Sequence, residues 1–287
     1  MLFEVEKYPK AGSKIDGVGL TVQGGGPVPN VMIGLKRLGY RSALITAMAD
    51  DMVGHLGVKE LKAEGVDVRH IVYKRGTSDT DVGIIERGSG RRTMVLNRVI
   101  HVSPRDVVVS RYPIPRVIHL DGRDLDACAK LARWGHRAGA VICFDVGSVR
   151  NDVSPIFGLI DHLVVADSYA LSFMGARTAR KAIEKLQNYC PGTVVVTEGL
   201  KGSVGCESGQ FVRVPAFKVH SVDGTGAGDA FHTGYIYGLL NGFDLAERLE
   251  FGAAIAALKC TQMGARTGLP TLSQAQHFLQ NRPRRYA

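Results

Sequence analysis

Residues 115–122, PRVIHLDG, run into 125–139, LDACAKLARWGHRAG, and these into 140–147, AVICFDVG. A short β-branched run bounded by Gly or Pro reads as a strand, and the middle segment carries apolar residues at helical spacing. The same alternation appears in RSALITAM (41–48) with VGHLGVKELKAEG (53–65), in HLVVADS (162–168) and in TVVVTEG (193–199). Apolar strands separated by helices predict parallel strands joined by crossover helices, so the fold class is α/β with a central, mostly parallel sheet.

Two regions break the pattern. Residues 1–23 and about 68–102 contain alternating runs such as DTDVGIIERGSGRRTMVLNRV (79–99), which read as antiparallel hairpins with a turn near Gly88 to Gly90. A small β-lid over an α/β body explains both. The last third changes texture: HTGYIYGLLNG (232–242), LAERLEFGAAIAALKC (245–260) and LSQAQHFLQ (272–280) read as helices between Gly-rich turns. No repeat or linker divides the chain, so residues 1–287 are read as one domain whose lid is formed discontinuously.

Composition narrows the function. The 287 residues are 45% hydrophobic and 22% charged, enough for a substantial core. No run approaches the roughly 18 uncharged apolar residues of a membrane helix, and MLFEVEKYPKAGSK lacks a signal-peptide pattern, so a cytoplasmic protein with no membrane partner is expected. The five cysteines form no CxxC pair, which points to reduced thiols and away from a zinc site. The net charge of +9 is spread along the chain without interleaved aromatics, so nucleic acid is not the expected partner. Arg282, Arg284 and Arg285 form a basic tail read as a solvated terminus.

The most chemically informative segment is Val222-Asp223-Gly224-Thr225-Gly226-Ala227-Gly228-Asp229-Ala230-Phe231, after the strand-like FVRVPAFKVH (211–220) and before a helix of small residues. Glycines there permit close backbone approach, and a helix N-terminus points unpaired N–H groups at whatever sits above it, as an anion hole does. A carboxylate closing a phosphate hole would repel the phosphate, unless Asp229 takes the proton of a hydroxyl that attacks it. The plain alternative is a helix-starting Asp that favours the helix dipole.

This run resembles the second signature of the ribokinase-like carbohydrate kinases, approximately D-T-x-G-A-G-D-x-F, with Gly224 in place of Thr. A second match is Gly24-Gly25-Gly26-Pro27-Val28-Pro29-Asn30 before VMIGLKRLG, followed by ALITAMADDMVG (43–54) and LKAEGVDV (61–68). The resemblance spans about residues 1–272. It implies a three-layer αβα ribokinase-like fold with a lid sheet, and transfer of a phosphoryl group from ATP to a primary hydroxyl of a sugar. Asp229 is then the base, and the N–H groups of Gly226, Ala227 and Gly228 hold the transferred charge.

By the same resemblance Gly25, Gly26 and Asn30 bind the sugar. Thr197, Gly199 and Gly202 border the nucleotide phosphates and ribose, while Ala253, Ala256 and Cys260 wall the adenine, where small residues leave room for a flat ring. VIHLDGRD (117–124) and GRRTMVLNR (90–98) look closest to the ketohexokinase branch, in which a lid Arg reaches the phosphate region; Arg98 takes that role here. Lid pairing into a homodimer is expected.

Three departures shape the expectations. The family opens with a buried strand ending in a sugar-binding Asp, and Met1 falls where that strand has already ended; a start set too late is the expected reason. The family's N-x-x-E element is matched by Ala166-Asp167-Ser168-Tyr169-Ala170, without the Asn or Glu, so Mg²⁺ is expected to arrive with the nucleotide and no residue is assigned as its ligand. Asp223 and the loop Gly264 to Thr267 suggest a monovalent-cation site, or more simply an Asp capping a turn. The alternatives are a nucleoside kinase, disfavoured by the few lid aromatics (Phe3, Tyr8, Tyr73), and a sensing pseudokinase. No G-x-G-x-x-G follows an early strand and no G-x-x-x-x-G-K-[ST] occurs, which excludes a Rossmann dehydrogenase and a Walker-type NTPase.

Overall fold

The structure, a computed structural model, describes residues 1–88, 92–147, 152–281 and 285–286. Strands β7 (Val117–Leu120), β8 (Val141–Val146), β9 (His162–Ala166) and β10 (Thr193–Thr197) are parallel neighbours. Two antiparallel strands, β11 (Ser203–Glu207) and β12 (Gln210–Val214), complete a sheet of order β12-β11-β10-β9-β8-β7.

The apolar runs are continuous because both faces of this sheet are covered. Ile142, Phe144, Leu163, Val165, Val194 and Val196 pack in one core with helices α3 (Leu125–Arg137), α4 (Asp167–Met174) and α5 (Ala179–Leu186). The alternate residues Cys143, Val164 and Val195 point the other way, into cores shared with α1 (Pro27–Arg37), α6 (Ala227–Leu240) and α7 (Leu245–Cys260). Each fully buried Val, Ile or Phe contributes on the order of 2 kcal/mol, so the two faces carry most of the fold's stability. That is the expected three-layer α/β architecture. Helix α6 lies against α7 so closely that a Cβ on Gly234 would stand 2.7 Å from the Gly252 Cα, which is why small residues fill both helices.

The lid is a separate sheet of order β2-β1-β5-β6: β1 (Leu2–Val5), β2 (Gly19–Thr21), β5 (Thr80–Glu86) and β6 (Arg92–Asn97). The expected hairpin is the antiparallel β5–β6 pair, in which Thr80 faces Asn97; Gly88 is described, while Ser89 and Gly90 lie outside the described residues. The second lid segment begins later than 68. Strand β4 (Asp67–Lys74) pairs in parallel with β3 (Ala43–Ala49) in the body, so Tyr73 is not a lid aromatic.

Among the described residues β3 and β7 each end a sheet on an unpaired edge. Between them runs a trough of about 800 Å³ with Leu44 and Thr46 on one wall, Val117 and His119 on the other, Met32 from α1 and Leu131 from α3. The Met1 amino group donates to the Asp81 carbonyl (2.7 Å), close to Asp79, which is ion-paired with Arg123 just past β7. The start of β1 thus stands near the Asp79–Arg123 pair.

The basic tail divides. Arg282 and Arg284 lie outside the described residues, whereas Arg285 pairs with Glu250 and stacks over the Phe217 ring at 4.0 Å, so this arginine is anchored instead of frayed.

Candidate active site

The Gly-rich run forms a loop clamped from below. Cys260 at the end of α7 accepts the N–H groups of Val222 (2.8 Å) and Asp223 (3.2 Å) on its carbonyl, and the Lys259 ammonium donates to the Asp223 carbonyl at 2.6 Å. The fully buried Asp223 carboxylate accepts from the Thr225 N–H (2.8 Å), the Thr225 hydroxyl (2.7 Å) and the Gly264 N–H (2.8 Å). Burial pushes this carboxyl up, but those hydrogen bonds and Lys259 outweigh it and leave it below its ordinary value. Asp223 is therefore a satisfied turn cap beside a buried ammonium, an environment that does not suit a cation at this carboxylate.

Gly226 ends the loop at φ +77°, where a Cβ would stand 2.9 Å from the Ala265 Cβ, so the turn into α6 requires glycine. The first turn of α6 follows, with Ala227, Gly228 and Asp229 in succession. The Ala227 N–H donates to the Gly224 carbonyl at 3.2 Å, so it must leave that weak bond to serve an anion, whereas Gly228 is exposed at the helix start.

Asp229 meets the second motif where α1 packs on α6, on one face of the sheet. Asn30, on the first turns of α1 and 2% exposed, donates from Nδ2 to Asp229 Oδ2 at 2.6 Å. Gly26 precedes α1 at φ +99°, and Gly25 is exposed beside it. The structure thus brings Gly25, Gly26 and Asn30 to the same place as the Gly226–Asp229 turn, although about 200 residues separate them in sequence. Burial and the neighbouring Asp145 push the Asp229 carboxyl up to about 6, against the pull of the Asn30 hydrogen bond.

A buried polar cluster lies beside it that sequence reasoning missed. Asp145 at the end of β8 contacts His232 Nε2 at 3.2 Å, and the His119 ring stands 5.0 Å from that of His232. Burial raises Asp145, yet the charge of His232 and its hydrogen bond bring it below the ordinary value; burial holds His119 down to about 3. The only sequence signal was three polar residues in runs otherwise apolar enough to be core.

The expected nucleotide residues lie farther along the strand ends. Thr197 closes β10, and the Glu198 N–H donates to the Gly202 carbonyl at 2.7 Å across a tight turn. Gly199 is exposed at φ +57°, and at Gly202 a Cβ would collide with the Val214 carbonyl. On α7, Ala253 packs with Phe217, Ala254 and Ala257, while Ala256 and Cys260 are half-buried. The Cys260 carbonyl anchors the Gly-rich loop, a contact its small side chain did not advertise.

Arg98 takes a different place from the one expected. Its guanidinium bonds Asp81 at 2.7 Å within the lid, while Arg92, at the start of β6, brings NH1 to 4.0 Å from where a Gly224 Cβ would stand. Among the described lid arginines, Arg92 is the one that stands over the Gly-rich loop. At the element matched to N-x-x-E, Asp167 accepts the Ser168 N–H at 2.7 Å, and Tyr169 stacks on Phe173 at 5.2 Å. Among the described residues no group of three or more His, Cys, Asp or Glu is spaced to hold a metal, and no helix is long and apolar enough to cross a membrane.

Residues 3–272 match the family model described as pfkB family carbohydrate kinase. The chain is 25% identical over 288 residues to a 5-dehydro-2-deoxygluconokinase of Geobacillus thermodenitrificans, covering 90% of this chain and 84% of that one. It is 28% identical to an ATP-dependent ribose-1-phosphate kinase of Halopiger xanaduensis, covering 97% and 94%. Among solved structures, a ribokinase from Thermotoga maritima superposes with a TM-score of 0.85 at 20% identity, over 98% of this chain and 95% of that one. A putative ribokinase II from E. coli, in complex with ATP and Mg²⁺, superposes with a TM-score of 0.82 at 22% identity, over 98% and 96%.

Proposed function

The chain belongs to the pfkB family of carbohydrate kinases, and from that premise we propose that it transfers the γ-phosphoryl group of ATP to a sugar hydroxyl with Asp229 as the general base. The observation that carries this reading is the Asn30–Asp229 contact, which sets the one carboxylate on the first turn of α6 at the meeting point of the Gly-rich turn and the Gly25–Gly26 loop.

In this reading the acceptor lies against Gly25 and Gly26, and its hydroxyl takes the place beside Asp229 that Asn30 now borders. Asp229 accepts the hydroxyl proton as the oxygen attacks phosphorus, and the leaving ADP carries away the other electron pair. The N–H groups of Gly226, Ala227 and Gly228 hold the charge on the transferred oxygens, with Ala227 exchanging its bond to Gly224 for one to the anion. Arg92 adds positive charge from the lid, and lid closure excludes water.

Thr197, Gly199 and Gly202 border the triphosphate and ribose, with Ala253, Ala256 and Cys260 towards the base. Mg²⁺ neutralises phosphate charge when bound and enters with the nucleotide, since the described residues offer no carboxylate cluster for it. The exposed Leu20, Val22 and Val95 of the lid support pairing of two lids in a homodimer. The named relatives define the first acceptors to try: 5-dehydro-2-deoxygluconate, ribose 1-phosphate and ribose. ADP release with one of them, and none with adenosine, is the expected result; turnover of adenosine alone would replace the sugar reading.

A further inference from the structure

Arg266 lies in the loop after α7, within the Gly264–Thr267 stretch but with no side-chain role expected from the sequence, and is 7% exposed. Its guanidinium spends three donors on one small region. Nε donates to Asn30 Oδ1 at 2.9 Å, NH1 to Glu60 Oε2 at 3.1 Å, and NH2 to the Gly25 carbonyl at 3.3 Å. Glu60, on α2 (Met52–Ala63), also accepts the Gly24 N–H at 2.6 Å. The fit is close, since a Cβ on Gly24 would collide with Arg266 NH1. The Arg266 carbonyl is itself held by Arg37 NH1 at 2.8 Å, and Arg37 pairs with Glu64 at 2.5 Å.

These bonds fix which end of the Asn30 amide faces Asp229. A guanidinium has only donors, so the amide oxygen must turn to Arg266, and the NH₂ is left to face the carboxylate. Donation from that NH₂ favours the ionised form of Asp229. With the amide reversed, two acceptors would meet at 2.6 Å, tolerable only if Asp229 carried a proton. We propose that Arg266 is a positioning residue that locks the Asn30 amide and the Gly24–Gly26 loop so that Asp229 stands ready as a base. The inference rests on the reading of Asp229 given above.

The other charged groups around Asp229 come from every side: Asp121 beyond β7, Asp145 on β8, His232 on α6 and Lys259 on α7, with Arg92 over the loop from the lid. The two acids oppose ionisation and His232 favours it. Arg266 and Asn30 work with His232.

The test is a ¹³C carboxyl NMR titration of the whole chain, with Asp229→Asn identifying the resonance. In Arg266→Met the Asp229 midpoint rises by about one pH unit, because a cation and the amide lock are both lost. In Glu60→Gln it stays or falls, because the guanidinium remains and loses its neutralising partner. Arg266→Lys keeps the charge without the fork and gives a midpoint between the parent and Arg266→Met. A merely structural role moves Arg266→Met and Glu60→Gln alike, or neither, and that result overturns the proposal. If Arg266→Met does not fold, Arg266→Lys decides: a raised midpoint there beside one in Glu60→Gln that stays or falls supports the proposal, and a common shift or none in both overturns it. The catalytic reading is judged separately: an active Asp229→Asn enzyme sinks the base assignment whatever the titration shows.

Discussion

Asn30 Nδ2 and Asp229 Oδ2 lie 2.6 Å apart, joining the first turns of two helices that enter the site from motifs at opposite ends of the chain. The contact predicts a pH profile. With the Asp229 carboxyl raised to about 6 by burial and Asp145, kcat/KM falls as pH drops below about 6, where a solvent-exposed aspartate would hold activity to about 4. Asn30→Ala removes the hydrogen bond that favours the charged form, so the acid limb moves to higher pH and kcat drops by about 10- to 100-fold. An unmoved limb in that variant would separate Asn30 from the base.

The same carboxyl sets a stability signature. Its folded value of about 6 exceeds the ordinary 3.8, so the native state holds an extra proton between these values. The proton's contribution to folding is fully present below 3.8 and is lost as pH rises through about 6. Asp229→Asn is therefore more stable than the parent at pH 8, by about 1–2 kcal/mol or a few degrees in Tm, with the gap closing by pH 4. Thermal unfolding at the two pH values checks this; an equal gap at both contradicts it.

Much of this was legible because both faces of the sheet are buried. Runs such as VICFDV and TVVVT have no solvent face to interrupt them, and the GTGAGD turn has few backbone solutions. Strand β4 falls largely inside the 68–102 region expected for the lid, and only its parallel pairing with β3, which no local pattern names, puts it in the body. Arg266 and Glu60 were invisible for another reason: their partners lie 236 and 36 residues away, and no local pattern marks a side chain whose role is to hold a distant amide or loop. Arg98 and Arg92 open a similar problem, since two arginines six positions apart on one hairpin face different neighbours only once the lid is placed.

Those two arginines separate in kinetics. Arg92→Ala lowers kcat/KM by about 10- to 100-fold with the larger part in kcat, as expected for a charge that stabilises the transferred phosphoryl group. Arg98→Ala, which breaks a lid ion pair with Asp81, changes kcat/KM by less than about fivefold. Steady-state kinetics of both variants checks this, and a reversed order returns the phosphate role to Arg98.

The trough between β3 and β7 makes a structural prediction. A strand there would pair with both free edges and cover apolar walls that now line about 800 Å³. A chain carrying an apolar strand of about five residues ahead of Met1 should melt at least 5 °C higher than the present one. An extension of equal length rich in Pro and Asp serves as the control. Equal melting temperatures for both extensions would mean that the trough does not accept a strand.

The most direct test of the central claim is ADP release from MgATP with the sugar panel, run in parallel on the parent chain and Asp229→Asn, with nucleotide binding followed by thermal shift. The predicted result is turnover of one sugar by the parent, a loss of at least about 10³-fold in the variant, and unchanged ATP binding. A variant that keeps more than a few per cent of the parent's activity, or a parent that binds ATP yet phosphorylates no acceptor, contradicts it.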